Sequence, residues 1–198
     1  MTLWLVHGFN VDDRGVGSVH RIVPALRAQG VKFDFLTYPW TDLITLRRST
    51  KWAVGELQSR VRPGDSVLGH SHGCVIALRT AAAGVHWRWM GLVNPALPTD
   101  EDFPKHVVDN VDVWHSPGDL ATPVGAVWRV VSRVLPWYWR NPHPWGAMGR
   151  YGYRGDAPVR NHALPKSFGH SGVWHDADAL RGLAVVARVR TKAGARPA

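Results

Sequence analysis

A chain of 198 residues with 45% hydrophobic and 20% charged side chains has the size and composition of one globular domain, which excludes a multidomain machine and a disordered segment. Its 24 Lys and Arg against 15 Asp and Glu give a net charge of +9, and Cys74, the only cysteine, excludes an intramolecular disulfide or a multi-cysteine metal site. No apolar run reaches the roughly 18 residues that span a bilayer, and MTLWLVHG lacks the pattern of a secretory signal, so no transmembrane segment and a cytoplasmic location are expected.

In chain order, the apolar run Leu3 to Val6 ends at His7-Gly8, as a buried parallel strand ends at a loop. Val19, Ile22, Val23 and Leu26 have helical spacing, with Ser18 as the expected N-cap and Gly30 as the stop. Phe33 to Tyr38 predicts the next strand, and Ser49 to Arg60 the next helix, ended by the Arg-Pro-Gly-Asp turn at 62–65. Ser66 to Gly69 is a third strand, followed by a helix carrying Cys74, Val75, Ala77, Leu78 and Ala81. Trp87 to Val93 and Val111 to His115 are further strands. Strands that alternate with helices predict a mainly parallel α/β sheet covered on both faces, with its ligand site at the strand C-termini.

Beyond Pro123 the rhythm breaks. Val124, Val127, Trp128, Val131, Val134 and Leu135 suit one amphipathic helix, but the stretch to Pro158 has no clean period and reads as an inserted cap or long loop, about 124–158. Val159 to Leu164 is the last expected strand and Asp176 to Arg188 the last helix, with residues 188–198 a basic, frayed tail after a single domain, 1–187.

The chemistry concentrates in Gly69-His70-Ser71-His72-Gly73, a G-x-S-x-G between a strand and a helix. Glycines at those positions permit a tight, strained turn that lifts the serine hydroxyl above the sheet at a helix N-terminus, where N–H groups can hold an oxyanion. A neutral serine needs a base, and the base needs a partner that fixes its tautomer. Asp119, in VDVWHSPGDLATP, follows a strand and a turn; its rival Asp112 lies inside the strand and so points to a sheet face. Two histidines compete for the base: His170, in a glycine-flanked turn, and His175, immediately before the last helix, where it would only cap it. His70 and His72 flank the serine and diverge, with no third ligand at usable spacing, so neither metal nor cofactor is expected.

The order serine, acid, histidine resembles the α/β-hydrolase superfamily over about residues 3–187. The resemblance implies a compact α/β-hydrolase fold of about six strands with a small cap between acid and histidine, and a Ser71, Asp119, His170 triad. It further implies an oxyanion hole made by the backbone N–H groups of Phe9 and His72, with His7 a structural hydrogen-bonder. The elbow is flanked by histidines, unlike the Gly-Tyr-Ser-Gln-Gly of cutinase-like enzymes, so the substrate subclass is left open.

The charge is unevenly placed. Residues 1–124 hold 12 basic and 12 acidic side chains, and residues 125–198 hold 12 and 3. The surplus therefore surrounds the region between acid and histidine, where Trp137, Trp139 and Trp145 are candidates to line an acyl or aryl pocket and arginines to hold an anionic substrate group. The expected partner is a small-molecule or lipid-like ester or thioester; an amide is cleaved by the same chemistry. The competing reading is a non-catalytic member of the fold that binds an anionic polymer through its basic segment. A nucleic-acid partner is not expected, because no recognition fold or stacking platform is legible.

Overall fold

The computed structural model describes residues 1–9, 13–38, 45–104, 110–131 and 145–192. Six strands form one sheet: β1 (Leu3–Val6), β2 (Phe33–Leu36), β3 (Ser66–His70), β4 (Met90–Val93), β5 (Val111–His115) and β6 (Val159–Ala163). Their order is β2-β1-β3-β4-β5-β6 and every pairing is parallel. The C-terminal ends of all six strands therefore gather on one edge, with β3, flanked by β1 and β4, near the middle.

The four residues of β1 are all buried, as are those of β3 and β4. That is why these strands read as unbroken apolar runs: successive side chains enter different cores on the two sheet faces. Trp4, Val6 and Val67 pack with α2 (Leu46–Arg60) and α3 (His72–Ala82), while Leu3, Leu5 and Leu68 pack with α1 (Val23–Ala28) and α6 (Ala177–Lys192). Each fully buried leucine of this kind contributes roughly 1.5–3 kcal/mol.

Four expectations need correction. The helix expected from Val19 is a 3-10 turn, Val19–Ile22, followed by α1, because Pro24 has no N–H to continue an α-helical ladder from the preceding turn. Ser18 does not cap it; its hydroxyl donates to the Gly15 carbonyl at 3.4 Å. The basic tail does not begin at residue 188, since α6 runs to Lys192, with Thr191 buried. Asp176 rather than His175 caps α6, accepting the Ala179 N–H at 2.8 Å.

The extra turn of α6 has a cause in β5. Asp112, fully buried, accepts Trp89 Nε1–H (2.8 Å), His162 Nε2 (2.7 Å), Arg160 Nε (2.9 Å) and Arg190 Nε (3.1 Å). One carboxylate so ties β5 to the edge strand β6 and to the end of α6. Burial alone would raise its pKa, but the hydrogen bonds from Arg160, His162 and Trp89 outweigh it and hold the group at about 2. A folded pKa below the unfolded value of about 3.8 means stability that is present above pH 4 and lost as pH falls toward 2. Asp112→Asn, which turns an NH2 group toward these donors, is expected to cost about 2 kcal/mol, a loss of roughly 4–8 °C in Tm. Thermal melts at pH 7 and pH 3 test this: the difference between wild type and variant should shrink at the lower pH, and an unchanged Tm at pH 7 refutes the tie.

Beyond β5, α4 (Ala121–Val131) begins three residues earlier than the apolar spacing implied, because Asp119 caps its first turn. A short helix, α5 (Met148–Tyr151), is the other described helix between acid and histidine. The expected cap candidates Trp137 and Trp139 lie outside the described residues.

Candidate active site

Ser71 occupies the sharp junction between β3 and α3 with φ +52° and ψ −117°, a left-handed backbone that a non-glycine residue adopts only when its surroundings enforce it. The enforcement is steric. A Cβ on Gly69 would lie 2.9 Å from the Cys74 nitrogen, and one on Gly73 would lie 2.3 Å from the Val6 carbonyl oxygen. Both glycines of the motif are thus places where backbone packs on backbone, and the serine between them is pushed out over the sheet edge.

Asp119 stands at the end of the turn after β5 and is fully buried. Its Oδ1 accepts the N–H groups of Ala121 (2.9 Å) and Thr122 (3.2 Å), and its Oδ2 lies 2.9 Å from His170 Nδ1. The carboxylate both caps α4 and holds the imidazole. Burial opposes its charge, but the His170 hydrogen bond and the two backbone N–H groups outweigh it and keep the carboxyl below its ordinary pKa. A charged Asp119 accepts the proton of Nδ1, which leaves His170 Nε2 as the nitrogen with a free lone pair.

His170 lies between two 3-10 turns, Lys166–Phe168 and Gly172–His175, and faces the same cavity as Ser71. His175 is exposed and its Nδ1 lies 2.8 Å from Arg21 Nη1, on another part of the surface. Of the two histidines, His170 is the one that lines the cavity with Ser71 and is bonded to Asp119. Asp112 is committed to the β5–β6 tie, as its position within the strand implied.

The cavity has a volume of about 400 Å³. Phe9 and His72, the candidates for the oxyanion N–H groups, line it beside Ser71, together with Ala96, Thr122, Val124 and Trp145. No lysine or arginine is among its described lining residues. Trp145, the tryptophan candidate among the described residues, lines the cavity, and its ring meets Phe9 edge-on at 5.3 Å.

Three residues that the sequence reading passed over hold this arrangement. Trp145 Nε1–H donates to His72 Nδ1 at 3.0 Å, so Nδ1 must be the unprotonated nitrogen. His72 Nε2–H then donates to Thr50 Oγ1 (2.9 Å), and the Thr50 hydroxyl donates to the Leu46 carbonyl (2.7 Å). This chain fixes a neutral His72 and the indole wall of the cavity. Tyr38, read only as a strand end, stacks on His7 at 3.9 Å and donates from its hydroxyl to the carbonyls of His7 (2.6 Å) and Gly8 (2.9 Å). Burial pushes the His7 pKa down to about 4, and its Nδ1–H donates to Gly8 O, which is the structural role expected of it. The third is Asn94, at the end of β4, whose amide reaches the His170 loop. Among the described residues no group of His, Cys, Asp and Glu could hold a metal ion, and no helix is long and apolar enough to cross a membrane.

These features define the α/β-hydrolase fold, and solved structures agree. A protein of the alpha/beta hydrolase superfamily from Xanthomonas campestris pv. campestris superposes with a TM-score of 0.57 at 17% identity, covering 94% of this chain and 98% of that one. The ydeN gene product of B. subtilis gives 0.55 at 14% identity, over 94% and 97%. Mouse alpha/beta hydrolase domain-containing protein 10 gives 0.59 at 12% identity, over 94% and 87%. Identities this low establish the shared fold. No family model and no curated protein matches the sequence.

Proposed function

We propose that the protein is a serine hydrolase that cleaves an ester or thioester through an acyl-enzyme intermediate. The observation that carries this reading is the convergence on one cavity of Ser71, on a strained elbow, and His170, whose Nδ1 is bonded to buried Asp119. In the proposed reaction His170 Nε2 takes the Ser71 hydroxyl proton as Oγ attacks the substrate carbonyl. The negative charge that develops on the carbonyl oxygen is held by the N–H groups of Phe9 and His72. Collapse breaks the bond to the leaving alcohol or thiol, which receives the proton from His170. Water, activated by the same imidazole, then releases the acid and frees Ser71.

The side chains around the cavity favour an uncharged, apolar acyl or aryl group, with Trp145 and Phe9 as its walls. A fluorophosphonate probe, which phosphonylates an activated serine, should label the wild type and leave Ser71→Ala unlabelled. The same variant should lose hydrolysis of short p-nitrophenyl esters by on the order of 10⁵-fold or more. Labelling of the variant, or none of the wild type under conditions where it is folded, removes the reading.

A further inference from the structure

The backbone carbonyl of His170 accepts two hydrogen bonds from side chains 76 and 100 residues earlier in the chain: Asn94 Nδ2 at 2.6 Å and His70 Nε2 at 3.2 Å. The same Asn94 amide also donates to the Gly169 carbonyl at 3.2 Å. Both partners of this amide are carbonyl oxygens, so its orientation is fixed by chemistry rather than chosen. We infer that His70 and Asn94 are positioning residues, a clamp on the backbone of His170 that sets where its imidazole stands relative to Ser71. The inference rests on the serine-hydrolase reading for its consequence, though not for its geometry.

The placement supports this. His70 immediately precedes Ser71 at the end of β3, and Asn94 follows Val93, which pairs in register with His70. Two adjacent strand ends thus tie the histidine loop to the nucleophile elbow itself, across a sheet edge on which Ser71 N–H is already bonded to the Val93 carbonyl at 3.0 Å. The arrangement is also costly. Asn94 holds a left-handed φ of +43°, and His70 Nδ1 and Asn94 Oδ1 are buried without partners. An apolar side chain would bury no unpaired Nδ1 or Oδ1 but would strip the Gly169 and His170 carbonyls of these donors, so what the pair supplies is its hydrogen bonds to the histidine loop.

The choice of donors fits a base that must carry a positive charge in mid-reaction. The titratable groups facing His70 are His170, with ring centroids 5.0 Å apart, Asp119 and His7; the indole of Trp174 meets it edge-on. Burial pushes the His70 pKa down to about 3, so it donates as a neutral ring. Asn94 is neutral as well. A lysine or arginine in either place would donate as strongly but would repel the imidazolium of His170.

The test uses His70→Phe, which keeps a ring and removes the donor, and Asn94→Gly, which keeps the left-handed backbone without strain and removes the amide. Two readouts are needed. One is the rate of fluorophosphonate labelling, with kcat and KM on a p-nitrophenyl ester. The other is the low-field proton resonance of the His170 Nδ1–H bonded to Asp119, which does not depend on turnover. Each single variant should lower kcat about tenfold and the pair about 100-fold with KM little changed, as expected for a misplaced base. The resonance should broaden or vanish with them, and His70→Gln, which restores a neutral donor, should recover most of both. A double variant with wild-type kcat and an intact resonance overturns the clamp. Should the wild type show no labelling while the resonance still responds to the variants, the clamp stands and the hydrolase reading fails.

Discussion

Replacing His170 with alanine is expected to lower ester hydrolysis by on the order of 10⁴-fold to 10⁶-fold, while His175→Ala leaves it within about twofold. The contrast follows from geometry. His170 shares a cavity with Ser71 and is bonded to Asp119 at 2.9 Å, whereas His175 is exposed beside Arg21. Asp119→Asn should cost about 10⁴-fold, because an amide NH2 facing Nδ1 favours the tautomer whose proton sits on Nε2, where the serine proton has to go. The variant still caps α4 through its remaining carbonyl oxygen, so circular dichroism and Tm separate this loss from unfolding. The sign of the pH dependence also follows. Asp119 is held below its ordinary pKa, so its charge and the stability it lends persist above the usual carboxylate range and are lost only as pH falls through the depressed value. Loss of rate through protonation of Asp119 is therefore expected only below the ordinary carboxylate range. Under the proposed mechanism Ser71 and His170 act together, so Ser71→Ala/His170→Ala should be no slower than Ser71→Ala alone. Full activity in His170→Ala, or its loss in His175→Ala, would falsify the assignment.

What could be read from the sequence was what is decided locally. Gly69 and Gly73 stand two residues either side of Ser71, a spacing legible in one short stretch although Gly69 packs locally on Cys74 and Gly73 on Val6 of β1, and the alternation of apolar runs with helical spacing reports strands buried on both faces. Asp112, a mid-strand residue, points to a sheet face and is bonded to Arg160, His162 and Arg190, whereas Asp119 stands beyond its strand beside His170. The decision between His170 and His175 was not local: it depends on the path of a loop with two 3-10 turns, and on Asp119, 51 residues earlier. The same limit hid Tyr38, Thr50 and Asn94, whose partners lie 31, 22 and 76 residues away. It hid the end of α6 too, since Arg190 is ordered by a carboxylate 78 residues before it. Among the described residues, the positive charge concentrated after residue 124 contributes no lysine or arginine to the cavity.

Glycine-to-alanine substitutions at three helical positions should change stability in opposite directions, and the sign tells which glycine the elbow requires. Gly55 in α2 and Gly182 in α6 have nothing within 4 Å of an added Cβ, and both are exposed. Alanine there removes the entropic penalty of a helical glycine, about 1 kcal/mol, and should raise Tm by roughly 2–4 °C each. In the second residue of α3 the same methyl group meets backbone on the far side: 2.3 Å from the Val6 carbonyl oxygen and 2.5 Å from that of His7. Neither oxygen can yield, because Val6 is a fully buried residue of β1 and the His7 carbonyl is held by the Tyr38 hydroxyl at 2.6 Å. The helix must move instead. Overpacking of this kind costs typically 1–3 kcal/mol, so Gly73→Ala should lose roughly 2–12 °C in Tm. Moving the start of α3 also displaces Ser71 and the His72 N–H relative to His170, and a shift of about 1 Å in such a constellation is enough for a 100-fold fall in kcat. Calorimetry and esterase assays on the three variants, run below the lowest Tm, distinguish the two effects. A Gly73→Ala protein as stable and as active as Gly55→Ala would mean that α3 does not pack on the end of β1, and that the strained backbone of Ser71 is set by something other than that contact.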